Sequence, residues 1–366
     1  MKQKNKNIII SGGGTGGHIF PAISIANAIK EIEPETNILF VGALGKIEMD
    51  KVPAAGYKII GLPVAGLQRR LTVKNISFIF KLISSLRKSK KIIKDFKPNV
   101  VVGVGGYASG PVLRMANKKG IPTLIQEQNS YAGITNKLLA KKAQKICVAY
   151  EGMERYFPQE KIILTGNPVR QDLLEKIGNK DEAISHFDLD KNKKTILVVG
   201  GSLGARTINE SIIGDIAKIG NSEFQILWQT GKYYYDDAKK SAAETKFENV
   251  KVLDFITRMD LAYSVADIII SRAGAGTISE LCLVGKPVIL IPSPNVAEDH
   301  QTKNAMALSN KNAAIMIKDI EAREKLIDAA LGLLNNQEQL KSLSENIKGM
   351  ALRDSAKIIA EEVLKL

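Results

Sequence analysis

A chain of 366 residues with 45% hydrophobic and 25% charged residues has the balance of a globular protein, and it exceeds the usual size of one compact core, so two domains are expected. No low-complexity tract suggests disorder, and no apolar window reaches the roughly 18 residues of a membrane-spanning helix. The net charge of +14 is uneven: residues 1–166 carry 26 Lys and Arg against 10 Asp and Glu, the remainder 26 against 28, so the first half is expected to face something anionic, either nucleic acid or an acidic membrane surface.

In chain order, the basic MKQKNKN is followed by an apolar run, NIII, far too short for the core of a signal peptide. Strand-like runs NIII, NILFVG, VVVGV, PTLIQE and KICVA then alternate with helix-like segments such as 20–31 and 73–94 in a βαβ rhythm. After Gly166-Asn167-Pro168 the rhythm restarts with TILVVGG, EFQILWQT, VKVLDF, DIIISR and PVILIPS. Continuous Val/Ile/Leu runs are what parallel strands buried on both faces require. Two Rossmann-like domains follow, residues 1–165 and 166–350, with a final helix in 351–366 whose partner domain the pattern does not give. Cys147 and Cys282 lie far apart in apolar contexts, which suits buried free thiols in a reducing compartment, and the cytoplasm is the expected location.

Four glycine turns close strands: GGGTGGH (12–18), GVGGYASGP (103–111), GGSLGAR (200–206) and SRAGAGTISE (271–280). A glycine turn entering a helix lets backbone approach a ligand, and exposed N–H groups with the positive end of the helix dipole attract phosphate. In open α/β sheets the ligand crevice lies at those strand ends, so a cleft between the domains walled by glycine loops is expected. Gly12, Gly14 and Gly17 fit G-x-G-x-x-G, yet the second strand ends Phe40-Val41-Gly42-Ala43 without the carboxylate that a dinucleotide ribose needs. A NAD-dependent dehydrogenase is therefore a remote alternative, and the absence of GxxxxGK[ST] disfavours a P-loop enzyme. Nucleic acid is disfavoured too: aromatics are 5% of residues, Trp228 is the single tryptophan, and no zinc-finger spacing occurs. Asp188-Leu189-Asp190 forms a DxD, but in a charged loop away from every glycine turn, and is read as chance.

Glu280 falls on the first or second helical turn after the fourth glycine turn. A carboxylate there is able to accept bonds from both hydroxyls of a ribose; the alternative is a helix-start acid favoured by the dipole. At this point GGGTGGHIFPAISIA, VVGVGGYASGP, QEQNSYAGITNK, TGNPVR, VVGGSLGART, SRAGAGTISE and DHQTKNA, in this order and across essentially the whole chain, resemble the MurG family. The resemblance implies the α/β GT-B architecture, two Rossmann-like domains with parallel sheets facing across a cleft, and a final helix that crosses back to the N-terminal domain. It implies an inverting peripheral membrane glycosyltransferase that needs no cofactor or essential metal. The reaction it implies moves N-acetylglucosamine (GlcNAc) from UDP-GlcNAc to the C4 hydroxyl of MurNAc in undecaprenyl-pyrophosphoryl-MurNAc-pentapeptide (lipid I), giving lipid II for peptidoglycan. A UDP-GlcNAc 2-epimerase or a glycolipid-synthesising enzyme of the same fold is the alternative. Cell-wall synthesis proteins stand among the partners that it allows.

Carried over by resemblance, the donor site comprises Thr15, Gly16, Gly17, Asn129, Arg170, Ser202, Ile256, Ala275, Gly276, Thr277, Glu280 and Gln301. Backbone near Ile256 suits the uracil edge, Ser202 and the 275–277 turn the diphosphate, and Arg170 the charge on departing UDP. Asn129 and Gln301 offer amides to sugar hydroxyls. Taken singly, Ser202 reads equally as a helix cap, Asn129 as a turn residue, and Arg170 and Gln301 as solvated surface. An inverting transfer needs a base. His18, at a helix start whose dipole favours the neutral ring, is the first candidate, with acceptor-diphosphate binding or capping as its alternatives, and Glu127 is the second. Gly14, Gly105, Gly106 and Tyr107 are expected to cradle the acceptor diphosphate, the alternative being a turn that allows close packing.

Residues 73–91, VKNISFIFKLISSLRKSKK, form a helix whose apolar arc (Val73, Ile76, Ile79, Phe80, Ile83, Leu86) is wider than one core-facing stripe and lies opposite a row of Lys74, Lys81 and Lys88, with Phe78 and Leu82 between. Such a helix suits an anionic lipid surface, with Lys74, Phe78, Lys81 and Leu82 as the expected contacts and Arg69, Arg70, Lys141 and Lys142 extending the patch. The alternative is a core helix with a solvated basic edge.

Overall fold

A computed structural model describes residues 5–64, 74–169, 177–245 and 247–366, without the side chains of 74–77, 79 and 297. The chain forms two compact units, Met1–Val169 with Leu352–Leu366, and Arg170–Ala351.

The first unit holds a sheet of β1 (Asn7–Ser11), β2 (Asn37–Ala43), β3 (Lys58–Leu62), β4 (Val100–Gly103), β5 (Thr123–Glu127), β6 (Lys145–Val148) and β7 (Ile162–Leu164) in the order β3-β2-β1-β4-β5-β6-β7. Every neighbouring pair is parallel. Successive strand residues point to opposite faces, so Ile8 and Ile10 enter one core while Ile9 enters another. Burying one such side chain contributes about 1.5–3 kcal/mol. The helix Gly16–Ile32 covers the Ile8/Ile10 face, and the last helix, Ser355–Leu364, adds Ile359, Ala360 and Val363 to the same core.

The second unit holds β8 (Thr195–Val199), β9 (Gln225–Gln229), β10 (Val250–Leu253), β11 (Ile268–Ser271), β12 (Val288–Leu290) and β13 (Ile315–Met316) in the order β10-β9-β8-β11-β12-β13, again all parallel. Trp228 is fully buried in its core, and its Nε1–H donates to Asn209 Oδ1 at 3.0 Å.

The ten strong apolar runs are all strands. β3, β7 and β13 are additional edge strands, short and partly exposed, so their sequences lack the continuous apolar signature. The expected helix 20–31 begins earlier, at Gly16, which winds Gly16, Gly17 and His18 into its first turn. In both sheets the strand order reverses beside the first strand, at β1/β4 and at β8/β11. The four glycine turns are the loops that leave those four strands, so each unit carries a pair at its topological switch point, where open sheets bind ligands.

Candidate active site

In the first unit the two glycine loops interlock. Gly106 has φ +80°, and a Cβ on it would sit 2.2 Å from the carbonyl oxygen of Gly13, so only glycine permits this approach. His18, third in its helix, lies with its imidazole against Gly105, and its Nδ1 is 3.0 Å from Gln128 Oε1. Thr15 precedes the helix as an extended, exposed N-cap, and Tyr107 is 59% exposed. The loops after β1, β4 and β5 thus bring together His18, Gly105, Gly106 and the segment 127–129.

Two expectations for this unit change. The Gly14 N–H, expected to hold acceptor phosphate, donates instead to both carboxylate oxygens of Glu48, at 3.0 and 2.9 Å. Glu127, the second candidate base, is 2% exposed and fully engaged. Its Oε1 accepts from Asn129 N (3.1 Å) and Asn129 Nδ2 (3.4 Å), and its Oε2 from Gly133 N (3.0 Å) and Asn136 Nδ2 (2.8 Å). A carboxylate with four N–H donors on its lone pairs orders the loop 128–136; it is poorly placed to take a proton.

In the second unit the helix Ala275–Val284 starts from N-cap Gly274, with no acidic residue in its first turn and open space where a Cβ of Gly276 would stand. A helix start of this kind attracts an anion. Glu280 sits one turn further on, half-buried, and accepts a bond from the Tyr263 hydroxyl at 3.4 Å. Gln301 Oε1 accepts from Ala273 N (3.3 Å) and Ser293 N (2.8 Å), pinning the loops after β11 and β12 together. Ser202 lies exposed in the turn after β8. In the backbone near Ile256, the Ile256 N–H donates to Gln229 Oε1 at 2.9 Å, while Gln229 Nε2 donates to Gly201 O at 3.1 Å. Arg170 lies outside the described residues.

Asp188 and Asp190 have local roles. Asp188 closes the helix Lys180–Phe187 in a left-handed conformation and accepts from Lys251 Nζ at 2.6 Å, and Asp190 Oδ1 accepts from Asn192 N at 2.9 Å.

The basic helix spans Lys74–Phe96 and turns differently from expectation. Ser85, Ser89, Ile92 and Ile93 are buried, because the small serines allow close approach to the neighbouring helix Ser109–Lys118, and Phe78 is half-buried on that same side. Phe78, expected as a lipid contact, thus lies toward the packed side rather than on the outward face. Phe80 (69% exposed) and Ile83 (41%) point outward instead, in phase with exposed Arg87, Lys90 and Lys94. Leu82 and Lys81 are exposed at the flank, and Lys88 Nζ turns back to Gly61 O at 2.8 Å. The side chain of Lys74, together with Arg69, Arg70 and Val73, lies outside the described residues. Among the described residues no helix is long and apolar enough to cross a membrane.

Comparison with known proteins agrees with this layout. Residues 8–148 match the glycosyltransferase family 28 N-terminal domain and residues 195–359 its C-terminal domain. The chain is 62% identical over 364 residues to a protein of Parabacteroides distasonis, and 64% identical over 365 residues to one of Phocaeicola vulgatus. Both are UDP-N-acetylglucosamine–N-acetylmuramyl-(pentapeptide) pyrophosphoryl-undecaprenol N-acetylglucosamine transferases, and the matches cover all of this chain and 99% and 97% of theirs. The crystal structure of Acinetobacter baumannii MurG superposes with a TM-score of 0.82 at 27% identity, covering 99% of this chain and 100% of that one. This chain belongs to the MurG family.

As a MurG-family glycosyltransferase it has the GT-B fold, and the dehydrogenase alternative falls away. In this MurG-family chain Glu48, Gln229 and the pairing of Gln128 with His18 lie outside the motifs that the sequence displays. Gln229 carried a faint signal, a polar residue closing the apolar strand QILWQ where strand ends meet loops.

Proposed function

We propose that this protein moves GlcNAc from UDP-GlcNAc to the C4 hydroxyl of MurNAc in undecaprenyl-pyrophosphoryl-MurNAc-pentapeptide, with inversion. The end-to-end likeness to relatives named for this transfer carries the reading. The amide end of the helix Ala275–Val284, with Ser202 as a second donor, holds the UDP diphosphate, and Glu280 holds the ribose. As the acceptor oxygen bonds to C1 of GlcNAc, the bond from C1 to the diphosphate breaks on the opposite face, and the hydroxyl proton passes to His18. Thr15, Gly16, Gly17, Asn129, Arg170 and Gln301 complete the donor contacts, and Gly105, Gly106 and Tyr107 meet the acceptor diphosphate. Glu127 acts by holding the loop that carries Asn129.

The acceptor is a lipid, so the protein works at the cytoplasmic face of the membrane, peripherally. Phe80 and Ile83 enter the lipid boundary while Arg87, Lys90 and Lys94 meet anionic headgroups.

UDP release from UDP-GlcNAc, measured with and without a lipid I analogue, tests the reaction: release only with acceptor supports transfer, and conversion of UDP-GlcNAc alone indicates an epimerase. Glu280→Ala is expected to raise KM for UDP-GlcNAc about tenfold or more by removing a charged hydrogen-bond acceptor; unchanged donor affinity rejects the ribose role.

A further inference from the structure

We infer that Gln128 is a positioning residue that fixes the tautomer of His18, holding its proton on Nδ1 and making Nε2 the basic nitrogen. The inference deepens the reading of His18 as the base and rests on it for its catalytic meaning.

A backbone carbonyl only accepts. Gln128 Nε2 donates to the carbonyl of Val104 at 2.7 Å, which fixes which end of the side-chain amide is nitrogen. The opposite end, Oε1, then faces His18 Nδ1 at 3.0 Å. An amide oxygen has no proton to give, so Nδ1 must carry it.

A second carbonyl anchors the same arrangement from the other side. Asn167 Nδ2 donates to the carbonyl of Gln128 at 3.0 Å. That turns Asn167 Oδ1 toward Gln126 Nε2, 3.0 Å away, and Gln126 Oε1 then accepts the second N–H of Gln128. Four side chains, Asn167, Gln126, Gln128 and His18, thus form one directed chain. Turning any amide round sets two oxygens or two N–H groups face to face. Gln126, Gln128 and Asn167 are 0%, 2% and 1% exposed, so no water relieves that mismatch. The amides come from the end of β5, from the residue just after it and from the Gly166-Asn167-Pro168 turn, all in one unit.

An imidazole in water favours the proton on Nε2. The amide chain reverses that preference, which places the basic lone pair on the nitrogen away from Gln128 without placing a charge beside the ring.

Nuclear magnetic resonance of protein labelled with ¹⁵N-histidine tests this directly. The chain has three histidines, and His18→Gln identifies the signal. The expected wild-type spectrum near neutral pH is the Nδ1–H form. Gln128→Met, equal in length but without the amide, is expected to move His18 toward Nε2–H and to lower kcat by about tenfold or more, with KM for UDP-GlcNAc held within about twofold. Gln128→Glu keeps an acceptor oxygen opposite Nδ1 and is expected to retain the Nδ1–H form. An Nε2–H signal in the wild-type protein, or an unchanged tautomer in Gln128→Met, overturns the inference whatever the activity. Full kcat in His18→Gln rejects the base reading and leaves the tautomer assignment standing, so the two failures are distinguishable.

Discussion

Glu48 is wholly buried under a loop 34 residues earlier in the chain, and both its carboxylate oxygens accept from the Gly14 N–H, at 3.0 and 2.9 Å. Oε1 also accepts from Ala43 N at 2.8 Å, so one side chain ties the end of β2 to the first glycine loop. Gly13 is required by this contact: its φ is +139°, and a Cβ would lie 2.1 Å from Glu48 Oε1. Glu48→Ala strands one buried and one half-buried N–H group and is expected to destabilise the protein by about 2–4 kcal/mol. Glu48→Gln keeps one acceptor while turning an NH₂ toward an N–H, and is expected to fall between. Urea unfolding of the three proteins checks the order; a wild-type midpoint in Glu48→Ala would falsify the clamp. The kcat of Glu48→Gln is expected to fall as well, because the Gly14 loop leads directly into the turn that carries His18.

The outward face of the helix Lys74–Phe96 makes a prediction that separates it from the lysine row nearer its packed side. Phe80 and Ile83 stand exposed among Arg87, Lys90 and Lys94. Replacing both apolar residues with Ser is expected to weaken association with anionic vesicles by about tenfold or more, from the lost burial of two large side chains. Reversing Arg87 and Lys94 to Glu removes about 1 kcal/mol of attraction per cation, and this loss is expected to vanish at high salt. Lys88→Glu is expected to matter less, since its ammonium already bonds Gly61 O. Vesicle sedimentation measures all three, with UDP-GlcNAc affinity as the control for folding. Wild-type partitioning of the Phe80/Ile83 variant on anionic vesicles sinks the membrane face.

What was legible in the chain follows from how locally each feature is encoded. Central strands such as Ile8–Ile10 and Ile268–Ile270 are covered on both faces, so burial writes itself as an unbroken apolar run. The edge strand Ile315–Met316 is two residues long and half-buried, and leaves no such mark. Glycine turns were legible as turns, and their placement at β1/β4 and β8/β11 required strand order, which no local pattern holds. Glu48 sits in KIEMDK, which reads as a solvated charged turn; its burial depends on a loop far away in sequence. The same limit applies to Glu127, whose spacing is visible but whose four donors are not. In the basic helix, the apolar pattern did not show that Ser85 and Ser89 face the packed side, because they pack through small volume rather than hydrophobicity.

The two thiols predict an alkaline weakness. Cys147 on β6 and Cys282 in the helix Ala275–Val284 are buried, and burial pushes both up to about 12, with the charge of Glu362 adding to the effect at Cys147. An acid whose folded value is raised stays protonated where the unfolded chain has released its proton. The thiols therefore cost nothing below pH 9, and stability drains away as pH rises from about 9 toward 12, at up to about 1.4 kcal/mol per pH unit for each thiol. Tyrosines and lysines titrate over the same range, so the informative quantity is a difference. The stability gap between wild type and the Cys147→Ala/Cys282→Ala variant is expected to shift by roughly 2 kcal/mol in favour of the variant between pH 9 and pH 10. In the native protein at pH 8 burial holds both thiols protonated, so thiol reagents are expected to label both cysteines at the rate of unfolding rather than directly. Parallel stability curves for the two proteins, or rapid labelling of the folded chain, would show that one or both thiols meet solvent.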